Sequence, residues 1–151
     1  MVTTRIYIKP HLKEYLSGKF NQHQDHPVRF PDNMDIYHQI FNLTEKRPAK
    51  CPVDSGNLEI VLPERRSFKR AKTYNYLGAR SQREIRRTIN EMFWVDFRNY
   101  TEKHRYKNGS HYISIAIEFL RVYGISSISE DALIKHYYRW RKRDKNIVNK
   151  C

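Results

Sequence analysis

Cysteine is scarce in this 151-residue chain: Cys51 and Cys151 allow one pairing at most. A chain of this size with one potential bridge does not rest on a disulfide framework. Glycine occurs five times, never as GxGxxG or GxxxxGK, which excludes the usual phosphate-cradling loops. No serine nucleophile elbow is present. No apolar run approaches the ~20 residues that span a bilayer. The opening MVTTRIYIKP lacks the hydrophobic core of a signal peptide. The expectation is an intracellular, reducing, cytoplasmic location without membrane contact. His23 and His26 are close and Cys51 follows a loop later, but no Cys pair or His/Cys quartet stands at zinc spacing. Neither a metal nor a cofactor is expected.

Acidic residues are the other scarcity. Sixteen Asp and Glu stand against 29 Lys and Arg, a net charge of +13. Such an excess points to a polyanionic partner, most simply nucleic acid. An aromatic content of 13% argues against disorder, and the length suits one domain or two small ones. The charge is segregated. Residues 1–62 hold 8 Lys and Arg against 7 Asp and Glu, a net of +1, while residues 63–151 hold 21 against 9, a net of +12. The division is therefore a near-neutral α/β part, 1–62, and a basic helical part, 63–151, either separate or continuous. The second is where a polyanion would sit.

Along the chain, Thr3 to Ile8 alternates polar and apolar and reads as a strand. Pro10 suits the first turn of a helix carrying Leu12, Tyr15, Leu16 and Phe20. Met34 to Leu43 reads as a second helix, capped by Asp32 or Asn33, with loops at 21–31 and 45–57. Leu58 to Leu62 is the strongest strand, and Thr73 to Leu77 is its expected partner. The intervening ERRSFKRAK suits a hairpin arm, a helical turn or a loop equally. Ser81-Gln82-Arg83-Glu84 fits a capping box, opening a helix with the stripe Ile85, Ile89, Met92, Phe93, Phe97 and Tyr100. Asn108-Gly109 is a turn.

From Ser110 to Arg143 the chain reads helix, Gly-Ile-Ser turn, helix. The first helix is apolar nearly all round (Ile113, Ile115, Ala116, Ile117, Phe119, Leu120), which predicts burial on several sides. Gly124 is a stop signal, and Ser129 with Glu130 and Asp131 is a start signal. In the second helix Leu133, Tyr137 and Trp140 share a face, and Lys135, Arg139, Arg141, Lys142, Arg143 and Lys145 oppose Asp144. A buried helix feeding a basic, aromatic one over about 110–143 resembles the helix-turn-helix DNA readers, similar to small proteins of phages and mobile elements. Its turn is longer than the compact motif. The elements taken in order predict an α+β, mostly α-helical fold, with a small N-terminal strand/helix part followed by a three-helix C-terminal part that the resemblance makes helix-turn-helix-like.

Two clusters carry the expected chemistry. Arg65, Arg66, Lys69, Arg70, Lys72, Arg80, Arg83, Arg86 and Arg87 stand against Glu64 and Glu84. Arg83, Arg86 and Arg87 fall away from the Ile85/Ile89 stripe, so they can grip phosphates while the apolar face anchors the helix. In the last helix Lys135, Arg139, Lys142 and Arg143 can face one way, and His136 and Arg139 are candidate base-edge readers. The plain alternative for both clusters is a solvated helix face. His136-Tyr137-Tyr138-Arg139 matches the His-x-x-Arg element of tyrosine recombinases, but no tyrosine follows in the twelve residues after Arg139. Asp54, Glu59, Glu64 and Lys69 lack the regular spacing of a metal nuclease site.

The expectation is a non-enzymatic DNA-binding protein, a transcriptional or recombination accessory factor with double-stranded DNA as partner. RNA binding through Tyr74, Tyr76 and Tyr138, or an adapter for an acidic protein, are the alternatives. An exposed Arg5–Ile8 strand edge would supply a homodimer through the N-terminal part.

Overall fold

The computed structural model describes residues 1–20, 22–23, 25–65, 68–105 and 111–149, the last five as backbone only. It is α+β and mostly helical. Strand β1 (Thr3–Ile6) leads into helix α1 (Pro10–Lys19) and then α2 (Asp35–Leu43). The short strands β2 (Glu45–Lys46), β3 (Leu58–Val61) and β4 (Tyr74–Tyr76) follow, and α3 (Ala79–His104), α4 (Tyr112–Tyr123) and α5 (Glu130–Asn149) complete the chain.

Alternation places Thr4, Ile6 and Ile8 inward, and β1 pairs antiparallel with β3, Thr3 opposite Val61 and Ile6 opposite Leu58. The expected pairing of β3 with β4 does not form. Both edges of β3 are taken, one by β1 and the other by a bridge from Val28 to Ile60. Strand β4 pairs instead with β2, inside a stretch that reads as loop. Arg47 stitches that pair together, donating to Asn75 Oδ1 at 2.8 Å and Asn75 O at 2.9 Å while holding Asp54.

Pro10 opens α1 as its sequence position demands, but two other helix starts differ. Neither Asp32 nor Asn33 caps α2; Met34 is the capping residue, without a side-chain bond. Helix α3 begins at Ala79 rather than Ser81, with Gly78 as its cap. Ser81 is buried in the first turn, so the serine–glutamate capping box does not form. Gln82 closes the turn instead, its amide donating to Leu77 O at 2.9 Å.

Helix α3 organises the molecule. Its buried residues are Ser81, Ile85, Ile89, Phe93, Phe97 and Thr101, one every fourth position. At 3.6 residues per turn each step advances ~40°, so the buried stripe winds ~200° around the helix. Such a winding stripe lets one helix serve two layers. The N-terminal half of α3 borders α2, as where Met34, Ile36, Thr88 and Met92 line one recess. Further along, Phe97 meets Phe119 of α4 at a centroid distance of 5.1 Å. A single apolar cluster accordingly runs from Ile6 through Tyr15 and Phe93 to Tyr137.

Helix α4 stops where expected: Gly124 takes the left-handed conformation at φ 68°, and Ile125 N bonds back to Leu120 O. Its burial was over-predicted. Ile115, Ala116, Phe119 and Leu120 are buried, but Ile113, Ile117 and Val122 are half exposed. Its helical neighbours α1, α3 and α5 all pack on the Ile115/Phe119 side. The start of α5 is as read: Ser129 Oγ accepts from Ala132 N at 3.2 Å. The α4–α5 turn is held from α1. Glu14 accepts from Ser127 N (3.0 Å), Ser126 Oγ (2.9 Å) and Ser126 N (3.3 Å). Burial pushes the Glu14 carboxyl up, but these bonds outweigh it and hold it below the usual range.

Two features of α1 have measurable consequences. A Cβ at Gly18 would stand 2.2 Å from Tyr123 O, a backbone atom at the end of α4. Gly18→Ala is therefore expected to lower stability by about 2 kcal/mol, read as a lower urea midpoint. Glycine to alanine inside an ordinary helix raises stability by up to ~1 kcal/mol, so the sign alone decides. His11 is buried edge-on against Phe93, its Nε2 without a partner. Burial, then the Lys9 charge, lowers its pKa below 6.5, with Glu14 opposing weakly. The unfolded chain takes the proton first, so this contribution is complete above the unfolded pKa and is lost as pH falls below it. Urea midpoints should drop between about pH 7.5 and about pH 5.5, and drop less in His11→Phe.

Candidate nucleic-acid interface

Opposite its buried stripe, α3 carries Arg80, Arg83 and Arg87, all exposed. The line continues through Trp94 and Arg98, at intervals of three, four, seven and four residues, where the winding stripe has come round beside it. Eighteen residues at 1.5 Å each make this line ~27 Å long. Arg86 does not belong to it, contrary to the grouping of Arg83, Arg86 and Arg87. It sits ~100° round from the Ile85 stripe and reaches the residue that follows β1, its guanidinium 3.4 Å from Tyr7 O.

Helix α5 presents a parallel line. Leu133 and Tyr137 face the core, and the Tyr137 hydroxyl donates to Glu102. Burial and that carboxylate push the phenol pKa up. To one side of these anchors stand His136, Arg139 and Arg143, with Lys135 and Lys142 further round, all but His136 exposed. Lys135 pairs with Asp131 at 3.0 Å on the surface, where such a pair contributes under about 1 kcal/mol and yields readily to a phosphate.

Aromatic contacts bring the two lines together. The His136 ring stacks on Trp94 at 3.7 Å and 16°, and the Arg98 guanidinium lies 5.1 Å from the Trp140 ring centroid. Between α3 and α5 these residues line a cleft of about 370 Å³, closed by Asn90, Glu91, Arg143 and Asp144. His136 was expected to read base edges. It is instead half-buried on the tryptophan, and burial, then Arg98, Arg143 and Arg139, lowers its pKa. Burial and Arg143 likewise hold Arg98 below the ordinary guanidinium range.

The cations of 65–72 are placed differently. Arg65 lies over the Phe41 ring at 3.9 Å, with its guanidinium 2.8 Å from His38 Nδ1. Lys69 donates to Phe41 O (3.2 Å) and Asn42 O (2.9 Å), so its charge caps the negative end of α2. Arg70 pairs with Glu64 at 2.9 Å; Lys72 is exposed; Arg66 lies outside the described residues. Arg65, Lys69 and Arg70 thus have structural employment beside α2, which meets the Arg80 end of α3 in a recess lined by His38, Asn42 and Glu84.

Comparison with known protein families, with characterised proteins and with solved structures gave no match. The geometry therefore stands alone. Among the described residues no group of three His, Cys, Asp or Glu is placed to hold a metal. Asp54 is bound by Arg47 and Thr4, Glu59 by Arg5 and Thr3, and Glu64 by Arg70, each carboxylate by a different arginine. Tyr74 lies under Lys46 and Lys69, and Tyr76 under Arg47, each cation 5.8–5.9 Å from the ring centroid. Sequence reasoning missed Trp94, Arg98 and Asn90. The signal was present as the seven- and four-residue spacing Arg87–Trp94–Arg98, hidden because Trp94 adjoins the apolar stripe.

Proposed function

We propose that this protein binds double-stranded DNA through the face formed by α3 and α5, without a catalytic step. One observation carries the reading: a cation from each of two separate helices, Arg98 of α3 and Arg143 of α5, lines one cleft, which the Trp94–His136 stack ties together. Random solvated faces have no cause to converge. In this reading α4, the Gly124–Ser129 turn and α5 act as a helix-turn-helix-like unit. Lys135, Arg139, Lys142 and Arg143 address one groove and its phosphates, while Arg80, Arg83 and Arg87 hold an adjoining backbone. A transcriptional or recombination accessory role fits such a protein.

Fluorescence anisotropy on a random duplex across a salt series tests this. Six or more phosphate contacts predict a log–log slope steeper than about −5. Absence of duplex binding at low salt would sink the proposal. An adapter for an acidic protein predicts affinity that does not grow with duplex length.

A further inference from the structure

We infer that the α3–α5 cleft is a seat for one unpaired nucleobase and its phosphate, so that the protein prefers DNA carrying a single-stranded tail to blunt duplex. This rests on the DNA-binding reading above. In a duplex the base faces are hidden in the stack, and only edges show in the grooves. Ring faces set in a cleft can be met only by a base that has left its stack. Here Trp94 and His136 stack face to face at 3.7 Å, Trp140 stands beside them under Arg98, and all three rings border the cleft. The cleft, about 370 Å³, lies at the small end of ligand-binding clefts.

The polar lining matches the rest of a nucleotide. Asn90 offers both a donor and an acceptor, and Glu91 an acceptor, to the edge of a base. Arg98 and Arg143 repel one another across the cleft. Among the described residues neither forms an ion pair, although Glu91 and Asp144 share the lining. A phosphate between the two guanidiniums would relieve that repulsion and accept from both.

Trp94 and Trp140 are the two tryptophans of the chain, so intrinsic fluorescence reads this cleft alone. The full-length protein would be titrated with blunt duplex, the same duplex with a short single-stranded tail, and that duplex with an abasic tail. A ribonucleotide tail shows whether the sugar matters to the seat. The tailed duplex should quench the tryptophans and bind about tenfold tighter than blunt duplex, the abasic tail conferring neither effect. Asn90→Ala should reduce the gain that the tail confers. Equal binding of blunt and tailed duplex, or full quenching by the abasic tail, overturns the inference. Quenching by free single strand without any duplex binding supports the seat and removes the duplex reading.

Discussion

Replacing Arg139, Lys142 and Arg143 together by alanine should weaken duplex binding by about tenfold to a hundredfold and flatten the salt slope by about 2.7, at roughly 0.9 per lost phosphate contact. All three side chains are exposed, so the circular dichroism spectrum and urea midpoint should hold. Arg141 supplies the internal control. It has the same charge and lies between them, but it turns inward, donating to Tyr112 Oη at 2.9 Å over the Tyr137 ring. Arg141→Ala should lower the urea midpoint and leave the slope within error. A second triple, Arg80/Arg83/Arg87→Ala, separates a two-helix grip from a single-helix one. The proposed face requires its slope to flatten by a similar amount. An unchanged slope would confine the contact to α5.

The largest structural loss is expected at Phe93. Its ring is fully buried and touches His11 (5.1 Å), Tyr15 (5.3 Å), Trp94 (4.9 Å) and Phe119 (5.8 Å) between ring centroids. It therefore joins α1, α3 and α4 at one point. Truncating such a residue to alanine costs about 3–5 kcal/mol, a large part of the ~5–15 kcal/mol that holds a domain together. Urea unfolding followed by far-ultraviolet circular dichroism should show the midpoint collapse. Val95→Ala, two residues on and 42% exposed, should cost under about 1 kcal/mol. Comparable losses at both positions would mean that α3 is not buried as described.

Local signals were legible where the chain settles them with its own neighbours. Pro10 at the start of α1, the left-handed Gly124 and the Ser129 cap depend on backbone geometry within a few residues. The capping box at Ser81 failed although its four letters fit. Leu77 is buried, and the helix begins just beyond that anchor, which puts Ser81 inside the first turn. Strand partners failed for a different reason. Hydrophobic alternation marks β3 as a strand but cannot say which segment reaches its edges, and Val28 reaches one of them before β4 can. The apolar wheel of α4 was likewise ambiguous. Ile113 and Ile117 look like core from sequence, yet both are half exposed.

From the sequence alone came the polyanion-seeking charge, its concentration after residue 62, and a mostly helical chain ending in a basic helix. These are properties of composition and of periods set by a single helix, and they need no distant partner. Tertiary structure decided which of the many cations face one another. Lys69 and Arg65 are drawn onto the end of α2, Arg86 onto Tyr7, and Arg141 onto Tyr112, while Arg98, His136 and Arg143 meet across one cleft. The physical reason is the four-residue burial period of α3. It winds the apolar stripe around the helix, so that the C-terminal half of α3, with Trp94 and Arg98 at the margin of the stripe, is the part that meets α5.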